Sequence, residues 1–140
     1  MAMTIDVERV EGNPSVAVVS LDGELDASNY ERAIEAVRTA YAGGARGLVF
    51  DLSNLGFMAS SGLFALHSAL RIMRGDTPPD PEGGWGALHE MAADHDATAA
   101  NVRLASPQEP ISRVLERTGM SRLFGIDESR DEAIAALQGA

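Results

Sequence analysis

Ser60, Ser61 and Gly62 stand between a short apolar run, Gly47 to Leu52, and a stretch with helical spacing, Leu63, Leu66, Leu70 and Met73. Two hydroxyls at a helix start can cap backbone N–H groups. They can also carry a phosphate, because free N–H groups and the positive end of the helix dipole favour an anion. A phosphoserine there would add a charge of about −1.5 to −2. Three other helix starts read Ser-x-x-Glu, namely Ser28/Glu31, Ser106/Glu109 and Ser129/Glu132, in which the acid can reach back to the cap. Three residues beyond Ser60 is Leu63, and three beyond Ser61 is Phe64, so no acid reaches back at this start. On the pattern alone, plain capping is the commoner outcome.

Other chemistry has weaker support. His67 lies two turns past Ser60 on the same expected helix, about 10 Å of rise, too far for it to take the serine proton. The segment Ala59-Ser-Ser-Gly62 lacks the Gly-x-Ser-x-Gly elbow, so a serine hydrolase is not expected and the chain reads as a non-enzyme. His89, Asp94, His95 and Asp96 match no strong metal-ligand spacing and read as a polar loop. Gly43-Gly44 and Gly83-Gly84 lack the lysine of a phosphate-cradling loop. No cofactor and no metal are expected. With no cysteine there is no disulfide, thiol chemistry or cysteine-held zinc.

The formal charge of −10, from 21 acids against 11 bases, repels phosphate backbones and anionic lipid and suits a protein partner with a basic or mixed face. Excess acid also aids solubility. No apolar run reaches the roughly 20 residues a membrane span needs. Met1 to Val10 carries acids where a signal peptide has a basic region before an apolar stretch, so a cytoplasmic location is expected.

The elements that must position Ser60 follow from periodicity. Met3, Ile5 and Val7 alternate with polar residues as in a half-buried strand, Gly12, Asn13 and Pro14 turn, and Val16 to Leu21 reads as a more buried strand. A helix with Tyr30, Ile34, Val37 and Tyr41 runs from a Ser28/Glu31 cap to Gly43-Gly44. Gly47 to Leu52 is a central strand, followed by the helix that opens near Ser60. Residues 75–100 crowd Pro78, Pro79, Pro81, Gly83 and Gly84 into a long loop insert, with a short helix near Leu88 to Ala93 and with Trp85 as its anchor on the body or, alternatively, an exposed contact for a partner. Val102 to Ala105 is a strand. Ser106, Pro107 and Glu109 start a helix that turns Ile111, Val114 and Leu115 inward and ends at Gly119. Leu123 and Phe124 read as a short strand, and Ser129/Glu132 caps a last helix with Ile134 and Leu137. The expectation is one α/β domain over residues 1–140, ordered β-β-α-β-α-β-α-(β)-α, with a mixed sheet packed against helices.

The stretch from Leu48 to Leu63, Leu-Val-Phe-Asp-Leu-Ser-Asn-Leu-Gly-Phe-Met-Ala-Ser-Ser-Gly-Leu, resembles the signature of STAS domains of anti-sigma factor antagonists. That signature is an apolar strand, Asp-Leu-Ser, a short loop, then Asp-Ser-Ser-Gly-Leu opening a helix. Leu21-Asp-Gly-Glu-Leu-Asp26 is similar to the family's turn before the first helix, and Thr118-Gly119-Met120 to its late Thr-Gly-Leu segment. The resemblance implies a STAS-like fold and a regulatory protein-binding function. In that family a partner anti-sigma kinase phosphorylates the serine after the Asp, which by position is Ser60, with Ser61 as the second candidate. The unphosphorylated form binds the anti-sigma factor and phosphorylation breaks the contact. The implied partner surface is Asp26, Ser53, Met58, Ser60, Ser61 and Gly62, and the implied partner is the anti-sigma factor or serine kinase, with a homodimer allowed and no nucleic acid or membrane insertion. Ala59 stands where the family has Asp. A STAS-type subunit of a larger stress-signalling or transport-associated complex, without phosphorylation, is the alternative that this departure raises.

Overall fold

The structure, a computed structural model, describes residues 3–75 and 101–139. The insert from 76 onward, with its helix near Leu88 to Ala93, Trp85, and the His89, Asp94, His95 and Asp96 group, lies outside the described residues. Strands β1 (Met3–Val10) and β2 (Val16–Leu25) form an antiparallel hairpin, with Val7 opposite Val19. Helix α1 (Tyr30–Ala42) leads to β3 (Gly47–Met58), parallel to β2. Helix α2 (Ser60–Met73) precedes β4 (Val102–Ala105), also parallel, and helix α3 (Glu109–Thr118) leads to β5 (Gly125–Asp127). Helix α4 (Arg130–Leu137) is the last element. The five strands lie in the order β1-β2-β3-β4-β5, so the sheet is mixed, as its sequence pattern implies.

Because the order is sequential, each crossover from β2 to β5 moves in the same direction across the sheet. Crossovers of one hand then put their helices on one face. Leu48, Phe50 and Leu52 of β3 pack there with Val37 of α1, Leu66 and Leu70 of α2, and Ile111 and Leu115 of α3. The alternate residues Val16, Val18, Val49 and Ala105 form a smaller cluster on the opposite face, closed by Ala133, Ile134 and Leu137 of α4. Tyr30 at the start of α1 meets Phe64 of α2 edge to face at 6.1 Å, which ties the two helices together near their N-terminal ends. Asn101 donates to the carbonyl of Met73 at 3.0 Å, so the chain re-enters the body beside the end of α2.

Two expected caps are not formed. Asn29, not Ser28, precedes α1, and Ser28 donates its hydroxyl (2.6 Å) and its amide (2.9 Å) to the Asp26 carboxylate. The acid two residues earlier takes the serine before the helix can. Helix α3 begins at Glu109 after Gln108 and has Pro110 in its first turn. Ser106 sits instead at φ 54° and donates to the Glu128 carbonyl at 2.6 Å, joining the loops after β4 and β5. The remaining pair holds: Ser129 accepts from the Glu132 amide, and the Glu132 carboxylate accepts from the Glu128 amide. Gly119 ends α3 at φ 79°. Leu123 and Phe124 are not a strand. They follow a short 3-10 turn, Met120–Arg122, and are buried, and the strand begins one residue later.

Arg130 holds α4 to the sheet. Its Nε and Nη2 donate to Asp51 Oδ2 at 3.2 and 3.1 Å, Nη2 also reaches Ser20 Oγ at 2.8 Å, and Nη1 lies 3.4 Å from Glu8. Burial raises the Asp51 carboxyl, but the Ser53 hydroxyl and amide and the Arg130 guanidinium outweigh it and hold the group below its ordinary value. Such a carboxylate contributes stability above its unfolded pKa, near 3.9, and loses it as pH falls through the lower folded value. Since Arg130 is 37% exposed, Arg130→Ala should cost about 1–2 kcal/mol at pH 7. The difference from the unaltered chain in urea unfolding should be smaller in acid, as pH falls through the lowered folded value of Asp51, than at pH 7. An equal difference at both pH values would show that the ion pair does not fasten the helix.

Candidate functional site

The end of β2, the end of β3 and the start of α2 meet at one edge of the sheet. Leu25 pairs with Met58, and the Leu25 carbonyl accepts from the Ala59 amide at 2.9 Å. The turn after β2 is built around Asp26. Its carboxylate takes both Ser28 donors, its amide donates to Asn29 Oδ1 at 2.9 Å, and its carbonyl accepts from the Asn29 and Tyr30 amides. The Ser28 hydroxyl and then its amide hold the Asp26 carboxyl below its ordinary value. Asn29, only 4% exposed, also donates to the Glu24 carbonyl at 2.8 Å. Sequence reasoning missed this residue. An asparagine three positions after Asp in a turn was its one local signal.

Helix α2 starts without a side-chain cap. Ala59 occupies the N-cap position in extended conformation and has no side-chain group to accept from the first amides. Its carbonyl takes the Gly62 amide at 2.9 Å and the Leu63 amide at 3.3 Å. The first turn has no acid. Ser60 is exposed. The Ser61 hydroxyl points inward, buried and without a hydrogen-bond partner. A hydroxyl facing solvent can be reached by another protein and an inward one cannot, so the geometry separates the two candidates. Gly62 is buried against Met58 and Leu25. A Cβ there would stand 2.5 Å from Met58 Cγ and 3.1 Å from Leu25 Cδ2. Only a residue with no side chain lets α2 come this close to the strand ends.

Asp26, Met58, Ser60, Ser61 and Gly62 are thereby brought together. Met58 is only 4% exposed, so it supports the edge from within. Ser53 is elsewhere: it lies five residues back along β3, donates its hydroxyl to Asp51 at 2.8 Å, and its carbonyl accepts from Gln108 at 2.9 Å. His67 is buried within α2. Among the described residues no cluster of three His, Asp or Glu could hold a metal, and no helix is long and apolar enough to cross a membrane.

Two substitutions probe this edge. Ala59→Asp should stabilise the fold by about 1 kcal/mol, since an N-cap acid accepts from free amides and meets the helix dipole. Gly62→Ala should destabilise by about 1–3 kcal/mol, because overpacking must push Met58 or the helix away. Thermal unfolding checks both. A stable Gly62→Ala variant would mean that the close approach is not a constraint.

The geometry has relatives. No curated protein sequence matches the chain. An anti-sigma factor antagonist from Mycobacterium paratuberculosis superposes with a TM-score of 0.66 at 24% identity, over 98% of this chain and 95% of that one. The anti-sigma factor antagonist SpoIIAA in its unphosphorylated form gives 0.65 at 22% identity, over 98% of each chain. The phosphorylated form of SpoIIAA, the Bacillus cell fate determinant, gives 0.56 at 23% identity, over 94% and 96%. At these identities the likeness is one of fold. The family model for the STAS domain matches residues 8–75, from β1 to the end of α2, so the segment that builds the Ser60 edge is matched directly.

Proposed function

We propose that the chain is a non-enzymatic regulatory binding protein of the anti-sigma factor antagonist type, switched by phosphorylation of Ser60 by a partner anti-sigma kinase. One observation carries this reading: an exposed serine opens a helix whose N-cap, Ala59, offers no side-chain acceptor. The Gly62 and Leu63 amides are bonded to the Ala59 carbonyl, which leaves the Ser60 and Ser61 amides for phosphate oxygens, and the helix dipole favours the added charge. The same charge, buried against a partner without a cation to meet it, is costly. A phosphate there is thus tolerated in the free protein and disfavoured in a complex. The names of the structural relatives, two of which are unphosphorylated and phosphorylated forms of one antagonist, agree with this reading. The formal charge of −10 suits a partner with a basic or mixed face and not a nucleic acid or an anionic membrane, which fits a cytoplasmic regulator.

Ala59 favours a second reading. The family's acid at this position is missing, and with it a contact a kinase could use. In that reading the same edge binds a larger stress-signalling or transport-associated assembly without phosphorylation. The Asp26, Met58, Ser60, Ser61 and Gly62 edge serves either reading, whereas Ser53 acts through Asp51 and Gln108.

The readings part on one measurement. With a purified anti-sigma factor of the serine-kinase class and ATP, mass spectrometry should find one phosphate, on Ser60. Ser60→Ala should bind the partner and resist inactivation, while Ser60→Asp should lose about 2 kcal/mol or more of affinity. Equal affinity of the two variants would remove the switch. A stable complex with no phosphate would favour the assembly reading.

A further inference from the structure

Three large apolar side chains of the described residues are exposed: Val7 at 52%, Phe57 at 49% and Ile126 at 44%. Val7 and Ile126 lie on the edge strands β1 and β5. Phe57 is on β3, the middle strand, and is the one aromatic of the three. At Phe57 β3 has run past the residues that pair with β4 and has only β2 beside it, so strand alternation decides whether the ring faces in or out.

A bulge puts it there. Gly23 pairs with Leu55, and the next β2 residue, Glu24, pairs with Phe57, so Gly56 is an extra residue in β3. Leu55 points into the core and is fully buried. In regular alternation Phe57 would follow it inward and Met58 would face out. The inserted Gly56 reverses this: Met58 enters the core at 4% exposure, and Phe57 turns out on the same face as its cross-strand neighbour Glu24. Bulges of this kind re-aim side chains and gather beside functional sites. Phe57 stands three residues before Ser60, and the surface around it carries the acids Glu24 and Asp26.

We infer that Phe57 is the apolar anchor of the Ser60 surface, and that it inserts into an apolar pocket of a partner protein flanked by cationic side chains. The inference rests on the proposed protein-binding function and adds to it the partner's chemistry. Aromatic side chains at the centre of a binding patch carry a large share of affinity because they bury much area with few rotors. The acids beside the ring set the rim: a basic surface pairs with Glu24 and Asp26, and an acidic one is repelled. An anchor next to the phosphate-accepting serine also explains how one phosphate can act, since a dianion beside the ring must be desolvated whenever the ring is seated.

The test uses the intact chain and a purified serine-kinase anti-sigma factor from the same organism, with affinity and melting temperature measured for each variant. Phe57→Ser should melt close to the unaltered chain and bind about tenfold to a hundredfold more weakly. Phe57→Leu, which keeps an apolar body, should stay within about threefold. Val7→Ser, an equally exposed apolar residue on the edge strand, should bind unchanged. Normal binding by Phe57→Ser overturns the anchor, as does an equal loss in Val7→Ser. If Phe57→Ser loses binding while Ser60→Ala and Ser60→Asp bind alike, the anchor stands and the phosphorylation switch falls. If Phe57→Ser binds normally while the Ser60 pair differs, the reverse holds. Absence of any binding by the unaltered chain overturns both.

Discussion

The close approach of α2's first turn to the ends of β2 and β3 is the contact on which this edge depends. It is made possible by Gly62, where a side chain would collide with Met58 and Leu25. It is fixed by the bond from the Ala59 amide to the Leu25 carbonyl. Together these aim the helix start outward from the sheet edge, with Ser60 in solvent and Ser61 turned in. A helix held further away would leave Met58 partly wet and the Asp26 turn without a neighbour. Rigid support of this sort is what a charge-operated surface needs, because a fixed frame converts one added charge into an unfavourable contact instead of a local rearrangement.

The two faces of the sheet divide the labour. Helices α1, α2 and α3 bury the larger core, whose leucines and phenylalanine reach zero exposure on β3. The opposite face has one short helix, α4, whose Ala133 packs over Val16, Val18, Val49 and Ala105. So small an apolar cluster provides limited attraction, and polar bonds supplement it: Arg130 ties α4 to three strands through Glu8, Ser20 and Asp51. The Asp51-Leu52-Ser53 segment serves both faces. Leu52 enters the main core, while Asp51 and Ser53 engage each other and, through Arg130 and Gln108, the two C-terminal helices. In the stretch that resembles the STAS signature, Asp51 and Ser53 thus link elements of the fold, while Phe57 and Ser60 stand exposed.

Much was determined by the sequence alone. The strand and helix order follows from the change between period two and period 3.6, and β4 was legible to the residue because Val102 to Ala105, with Val102 and Leu104 alternating about Arg103, is bounded by the polar Asn101 and Ser106. The uncapped start at Ser60 was readable from Ala59 and from Leu63 in the place of a glutamate, since capping is decided within three residues. Caps with a nearby competitor were not readable. Ser28 is taken by Asp26, and Ser106 by a carbonyl on another loop, 22 residues away. Tertiary structure alone decided which residues share an edge. It joined Asp26 to Ser60 across 34 positions, placed Ser53 against Asp51 and Gln108, and turned Phe57 outward through a bulge that exists only against β2. The reason is physical: capping and periodicity are set by neighbours along the chain, whereas register, bulges and the inward or outward choice of adjacent serines are set by the strand or helix packed alongside.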